Sequence, residues 1–227
     1  MAVDTIGHGI YTFGEAGHLT GLSSRRVRSW FEDRAVAGGS SRTRRRVFRS
    51  DYGPGRLISF LDLIEVLVAG HMRELGISLI AVRKAHAALS QYLATQHPFS
   101  HQGLLTDGRK LFVHLERESA TREELIEVVS QQHAIPEVLL PYLKRVDYDA
   151  ASRLARQWNI SEDVIVDPSR AMGKPIVQSS AMPTAILSAA FHANGKDVER
   201  VADWYGVAPG EVQAAVAFEL QYFGAAA

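Results

Sequence analysis

The first hydrophobic pattern of the chain predicts two short helices joined by a tight turn. Thr12 and Glu15 have the spacing of a capping box, and Gly21 supplies the left-handed residue that ends the first helix. Ser23 or Ser24 caps the second helix. The apolar residues recur at helical spacing, so that one face of each helix is buried. These inward positions are Phe13, Ala16, Leu19, Leu22, Val27, Trp30 and Phe31.

The pattern beyond the second helix predicts a β-wing and then two longer helices. A loop at Gly38–Ser41, the alternation around Val47 and the turn residues 52–56 indicate the wing. Helical spacing then runs from Ser59 to Leu75, and Gly76 ends that helix. The next helix runs from Ser78 to Leu93, before Pro98 ends the helical region.

Mixed elements follow in the middle of the chain. The segments 99–105 and 110–115, joined by Asp107–Gly108, predict a β-hairpin. A capping box at Thr121 and Glu124 opens a helix, and Pro136 and Pro141 bracket a short helical piece. Brief strands are predicted at residues 146–148, 154–158 and 164–166.

The last segment predicts three helices, Pro183–His192, Val198–Tyr205 and Pro209–Phe223. The fold class is therefore mainly α with small β elements, an α+β fold. Three modules are expected. They are a winged helix-turn-helix head (residues 1–96), an α+β middle module (residues 97–166) and a C-terminal three-helix domain resembling a helix-turn-helix (residues 167–227).

Charge is unevenly distributed, although 25 basic residues balance 25 acidic ones. Between Ser23 and Arg56 there are ten arginines and three acidic residues, which leaves the rest of the chain with seven net negative charges. Such a segment is either a solvated loop or a DNA-binding surface, and the adjacent helix pair favours DNA. The candidate DNA-binding residues are Ser24, Arg25, Arg26 and Arg28 on the second helix and Arg42, Arg44, Arg45, Arg46 and Arg49 on the wing.

Residues 10–94 resemble a MerR-type winged helix-turn-helix. The resemblance implies that the second helix and the wing bind operator DNA and that the protein acts as a homodimer on a near-palindromic site. The wing loop here is longer and richer in arginine than is usual in that family, and no long dimerising coiled coil follows. The residues that carry the resemblance to the MerR-type head are Tyr11, Ala16, 20–23, Val27, Arg28, Trp30, 58–63, 75–79, Val82 and Arg83.

The segment from Asp167 to Ala215 resembles a small bacterial domain that is found in VapB-type antitoxins. The matching residues are 167–168, 173–177, 182–184, Ile186, 197–202, 205–207 and 211–215. The usual Gly-Thr-Arg of that domain is replaced here by Ser179–Ala181. This resemblance implies a partner, a small toxin with a PIN-like ribonuclease fold.

The last predicted helix occupies the place of the DNA-binding helix in a helix-turn-helix but lacks positively charged residues. No lysine or arginine occurs between Val207 and Ala227, so the helix has almost no means of binding phosphate. Its apolar residues either contact a toxin or a second copy of the chain, or fill the core of their own domain. These residues are Val212, Val216, Leu220, Tyr222 and Phe223.

Several chemistries are not expected from this sequence. The chain has no cysteine, and it carries no phosphate-binding loop, nucleophile elbow or dinucleotide motif. His97 and His101 are spaced by four residues, but Pro98 prevents a helical ligand pair. No enzyme activity, cofactor or metal is expected. The N-terminus lacks the pattern of a signal peptide and no apolar stretch would span a membrane, so a cytoplasmic protein is expected.

The sequence leads to one main functional hypothesis, an antitoxin that represses its own operon and neutralises a ribonuclease toxin from the adjacent gene. The alternative is a MerR-like transcriptional regulator that responds to a small molecule. A third hypothesis, an enzyme acting on nucleic acid, would need a convergent set of carboxylates or a metal site. The sequence patterns above provide neither.

Overall fold

The computed structural model describes residues 8–35, 43–44, 46–106 and 134–224, with the backbone alone at residues 34–35, 43–44 and 134–138. It has an α+β fold that divides into two compact units. The larger unit spans Tyr11–Ala155, and in the smaller one residues 8–10 join residues 156–224. Among the described residues, no helix is long and apolar enough to cross a membrane.

The larger unit contains five named helices and five short strands in its described part. In chain order these are β1 (Tyr11–Thr12), α1 (Phe13–Thr20), α2 (Ser24–Phe31), β2 (Arg34–Ala35), β3 (Thr43–Arg44), β4 (Leu57–Ile58), α3 (Phe60–Glu74), α4 (Leu79–Tyr92), α5 (Ala134–Leu143) and β5 (Val146–Tyr148).

The first two helices form at the predicted residues. The Thr12 hydroxyl accepts a hydrogen bond from the Glu15 amide, and the Glu15 carboxylate accepts one from the Thr12 amide, which confirms the capping box. Gly21 ends α1 with φ of 69°, and the Ser23 hydroxyl caps α2 by accepting from the Arg26 amide. The predicted inward residues are all buried: Phe13, Ala16, Leu19, Leu22, Val27, Trp30 and Phe31.

The wing residues depart from the predicted alternation. Strands β2 and β3 pair antiparallel, with Arg34 opposite Arg44, but no strand continues through Val47. Val47 and Phe48 are both buried, and their amides both donate to the carbonyl oxygen of Trp30. This segment therefore packs against the end of α2 with two adjacent side chains, which an alternating strand cannot do.

Helix α3 is the centre of the larger unit. Twelve of its fifteen residues are buried, which is typical of a helix that is covered on all sides. Ser59 and Asp62 form its capping box. The β1–β4 pair sets Tyr11 opposite Ile58 and so brings the start of α1 next to the start of α3.

The hairpin predicted in the middle of the chain is wrong in its first strand. Residues 103–106 are helical, and the amides of Leu104, Leu105 and Thr106 donate to carbonyl groups three or four residues earlier. The amides of Phe99 and Ser100 instead bind the carboxylate of Glu65 on α3, so a distant buried acid overrides the local turn signal. The second strand (110–115) and the helix expected after Thr121 lie outside the described residues.

Pro141 lies inside α5, so the prediction that it ends a short helical piece is wrong. The strands predicted at residues 146–148, 154–158 and 164–166 are confirmed as β5, β6 (Ala155–Asn159) and β7 (Val164–Val166) within one residue.

The smaller unit packs three helices against an antiparallel sheet. Strand β7 pairs with both β6 and β8 (Pro175–Val177). The predicted helices are confirmed as α6 (Thr184–Ala193), α7 (Val198–Tyr205) and α8 (Pro209–Phe223). The core of this unit consists of Val177, Leu187, Val201, Ala202, Val212 and Ala215.

Gly17 provides a test of the contact between α1 and the turn that follows. A Cβ atom at Gly17 would lie 2.6 Å from the Leu22 carbonyl oxygen and 3.1 Å from the Ser24 nitrogen. We expect Gly17→Ala to lower the free energy of unfolding by about 1–3 kcal/mol, because backbone atoms would have to move. Urea denaturation measures this change.

Gly14 in the same helix is the matched control. Its Cβ would meet only the Thr12 hydroxyl oxygen, at 3.7 Å. Gly14→Ala should leave the stability unchanged or raise it by up to about 1 kcal/mol, because alanine favours helix. Equal effects of the two substitutions would contradict the close packing at Gly17.

Candidate nucleic-acid interface

Helix α2 presents a cationic surface to solvent. Ser24, Arg25, Arg26 and Arg28 are all exposed, while Val27 on the same helix is fully buried. The first turn has no acidic residue, although the positive end of a helix dipole favours acids over arginines. Arginines at this end of α2 therefore destabilise the helix, and an anion bound there would offset the unfavourable charge interaction.

Most of these arginines are not neutralised by nearby acids. Arg28 pairs with Glu32 at 2.6 Å on the exposed surface of the same helix. Among the described residues, Arg25 and Arg26 have no ion-pair partner. Surface ion pairs such as Arg28–Glu32 contribute little stability, so Arg28 can exchange its carboxylate for a phosphate at small cost.

The segment after β3 adds two arginines beside α2. The Arg46 amide donates to Asp33 Oδ1 at 2.8 Å, and its guanidinium Nε lies 3.9 Å from the second oxygen of Asp33. Arg49 is exposed. Because the intervening Val47 and Phe48 are held by the Trp30 carbonyl, both arginines are fixed relative to α2.

The other three predicted wing arginines are not placed on this surface. The backbone of Arg44 lies in β3, and Arg42 and Arg45 lie outside the described residues. Their role in the interface stays a prediction.

Three open clefts join these cations into one surface. A cleft of about 590 Å³ is lined by Arg28, Arg46, Arg49 and Arg56, and one of about 650 Å³ by Arg25, Arg28 and Arg56. A third, of about 690 Å³, joins Arg46 and Arg49 to Arg83 and Lys84 on α4. We call this surface, together with the exposed Arg26 of α2, the basic face. The described cations that line its clefts are Arg25, Arg28, Arg46, Arg49, Arg56, Arg83 and Lys84.

Arg56, Arg83 and Lys84 were missing from the predicted interface. Arg56 belongs to the arginine-rich segment, and its proximity to α2 arises because β4 pairs with β1 directly after it. The helical pattern places Arg83 and Lys84 outward on α4, but only the tertiary packing brings them next to Arg46 and Arg49.

The buried carboxylate of Glu65 on α3 stabilises the part of the larger unit that carries the basic face. Glu65 on α3 is 1% exposed, and its Oε1 accepts from the amides of Phe99 and Ser100 at 2.8 and 3.1 Å. Its Oε2 lies 2.9 Å from His86 Nε2 on α4. The ring of Phe48 lies edge-on to His86, with centroids 5.1 Å apart. Glu65 therefore connects α3 to His86 of α4 and to the backbone of Phe99 and Ser100. Phe48, which lies between Arg46 and Arg49 in the chain, packs against His86.

The predicted partner-contact residues of α8 occupy different environments. Val212 is completely buried in the core of the smaller unit, so its side chain cannot lie on a contact surface, and this assignment is corrected. Val216 packs against that core. Tyr222 and Phe223 are half-buried and lie against the Phe218 ring. Leu220 alone of the five is largely exposed, at 60%.

Other apolar residues of the smaller unit are exposed without having been predicted. Trp204 is 62% exposed and Tyr205 is 39% exposed, both at the end of α7. Helical spacing gave no reason to distinguish them from core residues. Their exposure follows from the burial of Val201 and Ala202 on the opposite side of a short helix.

Comparisons with known proteins agree with the fold and give one relative with a functional name. No protein-family model matches the chain. A Mycobacterium tuberculosis protein named "Putative antitoxin VapB45" is 25% identical over 170 residues, which cover 70% of this chain and 70% of that protein. The crystal structure of Rv2018 from Mycobacterium tuberculosis is similar with a TM-score of 0.68 and 20% identity, covering 91% of this chain and 96% of that one. The second likeness shows a shared fold.

Glu65 should be essential for the stability of the larger unit. Glu65→Ala would leave two buried amides without an acceptor, and we expect the free energy of unfolding to fall by about 3 kcal/mol or more. Gln91→Ala, at an exposed position of α4, should change it by less than about 1 kcal/mol. Similar losses in both variants, measured by urea denaturation, would contradict the assigned role of Glu65.

Proposed function

We propose that this chain is the antitoxin of a type II toxin–antitoxin system. Its larger unit binds operator DNA and represses its own operon, and its C-terminal part binds a PIN-like ribonuclease toxin from the adjacent gene. The DNA-binding part of this proposal is carried by the basic face, in which one helix and the segments packed beside it present cations to solvent. The antitoxin part is carried by the likeness to the protein named as an antitoxin.

DNA is the partner that best fits the basic face. An arginine on the N-terminal half of a helix can bind guanine bidentately in the major groove, and arginines beside it can bind the flanking phosphates. Arg25 and Arg26 lie on the N-terminal half of α2, where they could contact bases. Arg49 and Arg56 lie beside the helix, where they could contact phosphates. The resemblance of residues 10–94 to a MerR-type head supports the same use of these elements. A homodimer follows from this use, because one head covers only a half-site.

The antitoxin role rests on the named relative and on the smaller unit. The likeness to the protein named as an antitoxin extends over 170 residues, which is longer than the head, so it cannot arise from the DNA-binding elements alone. Helix α8 carries no lysine or arginine, and its acids are occupied internally. Glu211 binds Ser179 and the Ala208 amide, and Glu219 binds the Thr184 hydroxyl.

The surface that we assign to the toxin includes Trp204, Tyr205 and Leu220. The exposed charged residues of α7 are Glu199, Arg200 and Asp203, and Arg200 is paired with Asp197, so the helix that carries Trp204 keeps a net negative charge. Such a surface suits the basic face that a ribonuclease needs for binding RNA.

The DNA-binding proposal predicts a loss of affinity when the helix arginines are removed. The double variant Arg25→Ala and Arg26→Ala should bind duplex DNA from upstream of its own coding sequence at least tenfold more weakly. The slope of log affinity against log salt should fall by about 0.9 for each phosphate that the variant no longer neutralises. Fluorescence anisotropy over a salt series measures both quantities.

Arg200→Ala is the matched control, because Arg200 is an exposed arginine on α7 of the smaller unit. It should leave the affinity and the slope unchanged. Equal weakening by this control, or no weakening by the double variant, would overturn the assignment of α2 to DNA.

The toxin proposal predicts that Trp204→Ala and Leu220→Ala weaken binding of the neighbouring gene product by roughly tenfold or more each, since exposed aromatic and leucine anchors commonly dominate such interfaces. Full-length chains co-expressed with that protein would be compared by affinity purification and calorimetry. Tyr92→Ala, an exposed residue of the larger unit, is the control and should bind normally.

If the wild-type chain does not retain the neighbouring gene product, the antitoxin proposal fails. A MerR-like regulator responding to a small molecule would then be the better account of the basic face.

A further inference from the structure

Three potential metal ligands converge in the larger unit. Asp51 lies in the segment between β3 and β4, Asp62 lies in the first turn of α3, and His97 follows α4. One ligand atom from each residue lies within 4.8 Å of the others. His97 Nε2 is 2.9 Å from Asp51 Oδ1, and its Nδ1 is 4.0 Å from Asp62 Oδ1.

The other carboxylate oxygens are held by neighbouring donors. Asp62 Oδ2 accepts from the amides of Ser59 and Asp51, at 3.0 and 3.1 Å. Asp51 Oδ2 accepts from the Ser59 hydroxyl at 2.5 Å. These bonds fix both carboxylates from the outside, so that one oxygen of each faces the imidazole. Metal sites commonly orient their ligands by such outer contacts.

The cluster has more acid than base. Asp62 is 1% exposed and His97 is 8% exposed, whereas Asp51 lies at an exposed position. A divalent cation between Asp51 and Asp62 would offset the repulsion between their carboxylates.

We propose that Asp51, Asp62 and His97 form a binding site for a divalent transition-metal cation of the Zn²⁺ type. One imidazole nitrogen and two carboxylate oxygens, with water in the fourth position, are a suitable tetrahedral set. Bonds of about 2.1 Å set neighbouring ligands about 3.4 Å apart. Asp51 and His97 are already near that spacing. The imidazole selects against Mg²⁺, which prefers oxygen ligands in an octahedron.

A cation at this position would connect three separate parts of the larger unit. It would tie the Asp51 segment to the start of α3 and to the end of the α4 region. The inference goes beyond the proposed function, because neither DNA nor a toxin is needed for the ion to bind.

Calorimetric titration of chelator-treated, full-length protein with ZnCl₂ tests the proposal, with MgCl₂ as the second probe. We expect one Zn²⁺ per chain at micromolar concentration and no binding of Mg²⁺ in the same range. Asp51→Asn and His97→Gln should each weaken Zn²⁺ binding at least tenfold. His192→Gln, which removes an exposed histidine on α6, should leave the affinity unchanged.

X-ray absorption spectroscopy of the Zn²⁺-loaded wild-type protein keeps the test independent of whether a variant folds. The proposal predicts four nitrogen or oxygen ligands, of which one is an imidazole. Absence of stoichiometric binding, two or more imidazoles in the shell, or undiminished binding by the folded Asp51→Asn and His97→Gln variants would overturn it.

Discussion

The close approach of α1 to the turn after it is the constraint on which the larger unit depends. At Gly17 the Leu22 carbonyl oxygen comes within 2.6 Å of the place where a Cβ atom would be, so only glycine allows this turn to lie against α1. The Leu22 side chain then contacts Gly70 of α3, where a Cβ atom would be 3.2 Å away. Two glycines therefore set the position of α2 against the rest of the unit.

The basic face follows from that position. Because Val27, Trp30 and Phe31 must be buried, the remaining side of α2 faces outward with its arginines. The Trp30 carbonyl oxygen accepts hydrogen bonds from the amides of Val47 and Phe48. These bonds place Arg46 and Arg49, which flank the two residues, next to α2. A set of cations that repel one another is thus held together by apolar burial and backbone hydrogen bonds. A polyanion would relieve that repulsion.

The parts of the fold that the sequence predicted are those governed by short-range signals. The capping box at Thr12, the left-handed Gly21 and the apolar spacing in α6, α7 and α8 act within a few residues, so they can be recognised without knowledge of the tertiary structure. The hairpin after Pro98 failed because Glu65, more than thirty residues earlier, binds the amides that a strand would have used.

The candidate site shows the same division. The arginines of α2 could be predicted from their place at the start of a helix, but Arg83 and Lys84 join the basic face only through tertiary packing. Val212 has the same helical spacing as a surface anchor would, and only the packing of α8 shows that it fills the core. Whether a residue is buried in a three-helix unit depends on which face of its helix packs against the other helices. Helical periodicity alone does not determine that face.

The central claim is that the basic face is the surface that meets DNA, and arginine-selective modification tests it most directly. The full-length chain would be treated with phenylglyoxal with and without duplex DNA from upstream of its own coding sequence, and each arginine followed by mass spectrometry. The account predicts that DNA protects Arg25, Arg26, Arg49 and Arg56, while Arg200 reacts equally in both states. Protection of Arg200 in place of these four, or of none of them under conditions where DNA is bound, would contradict it.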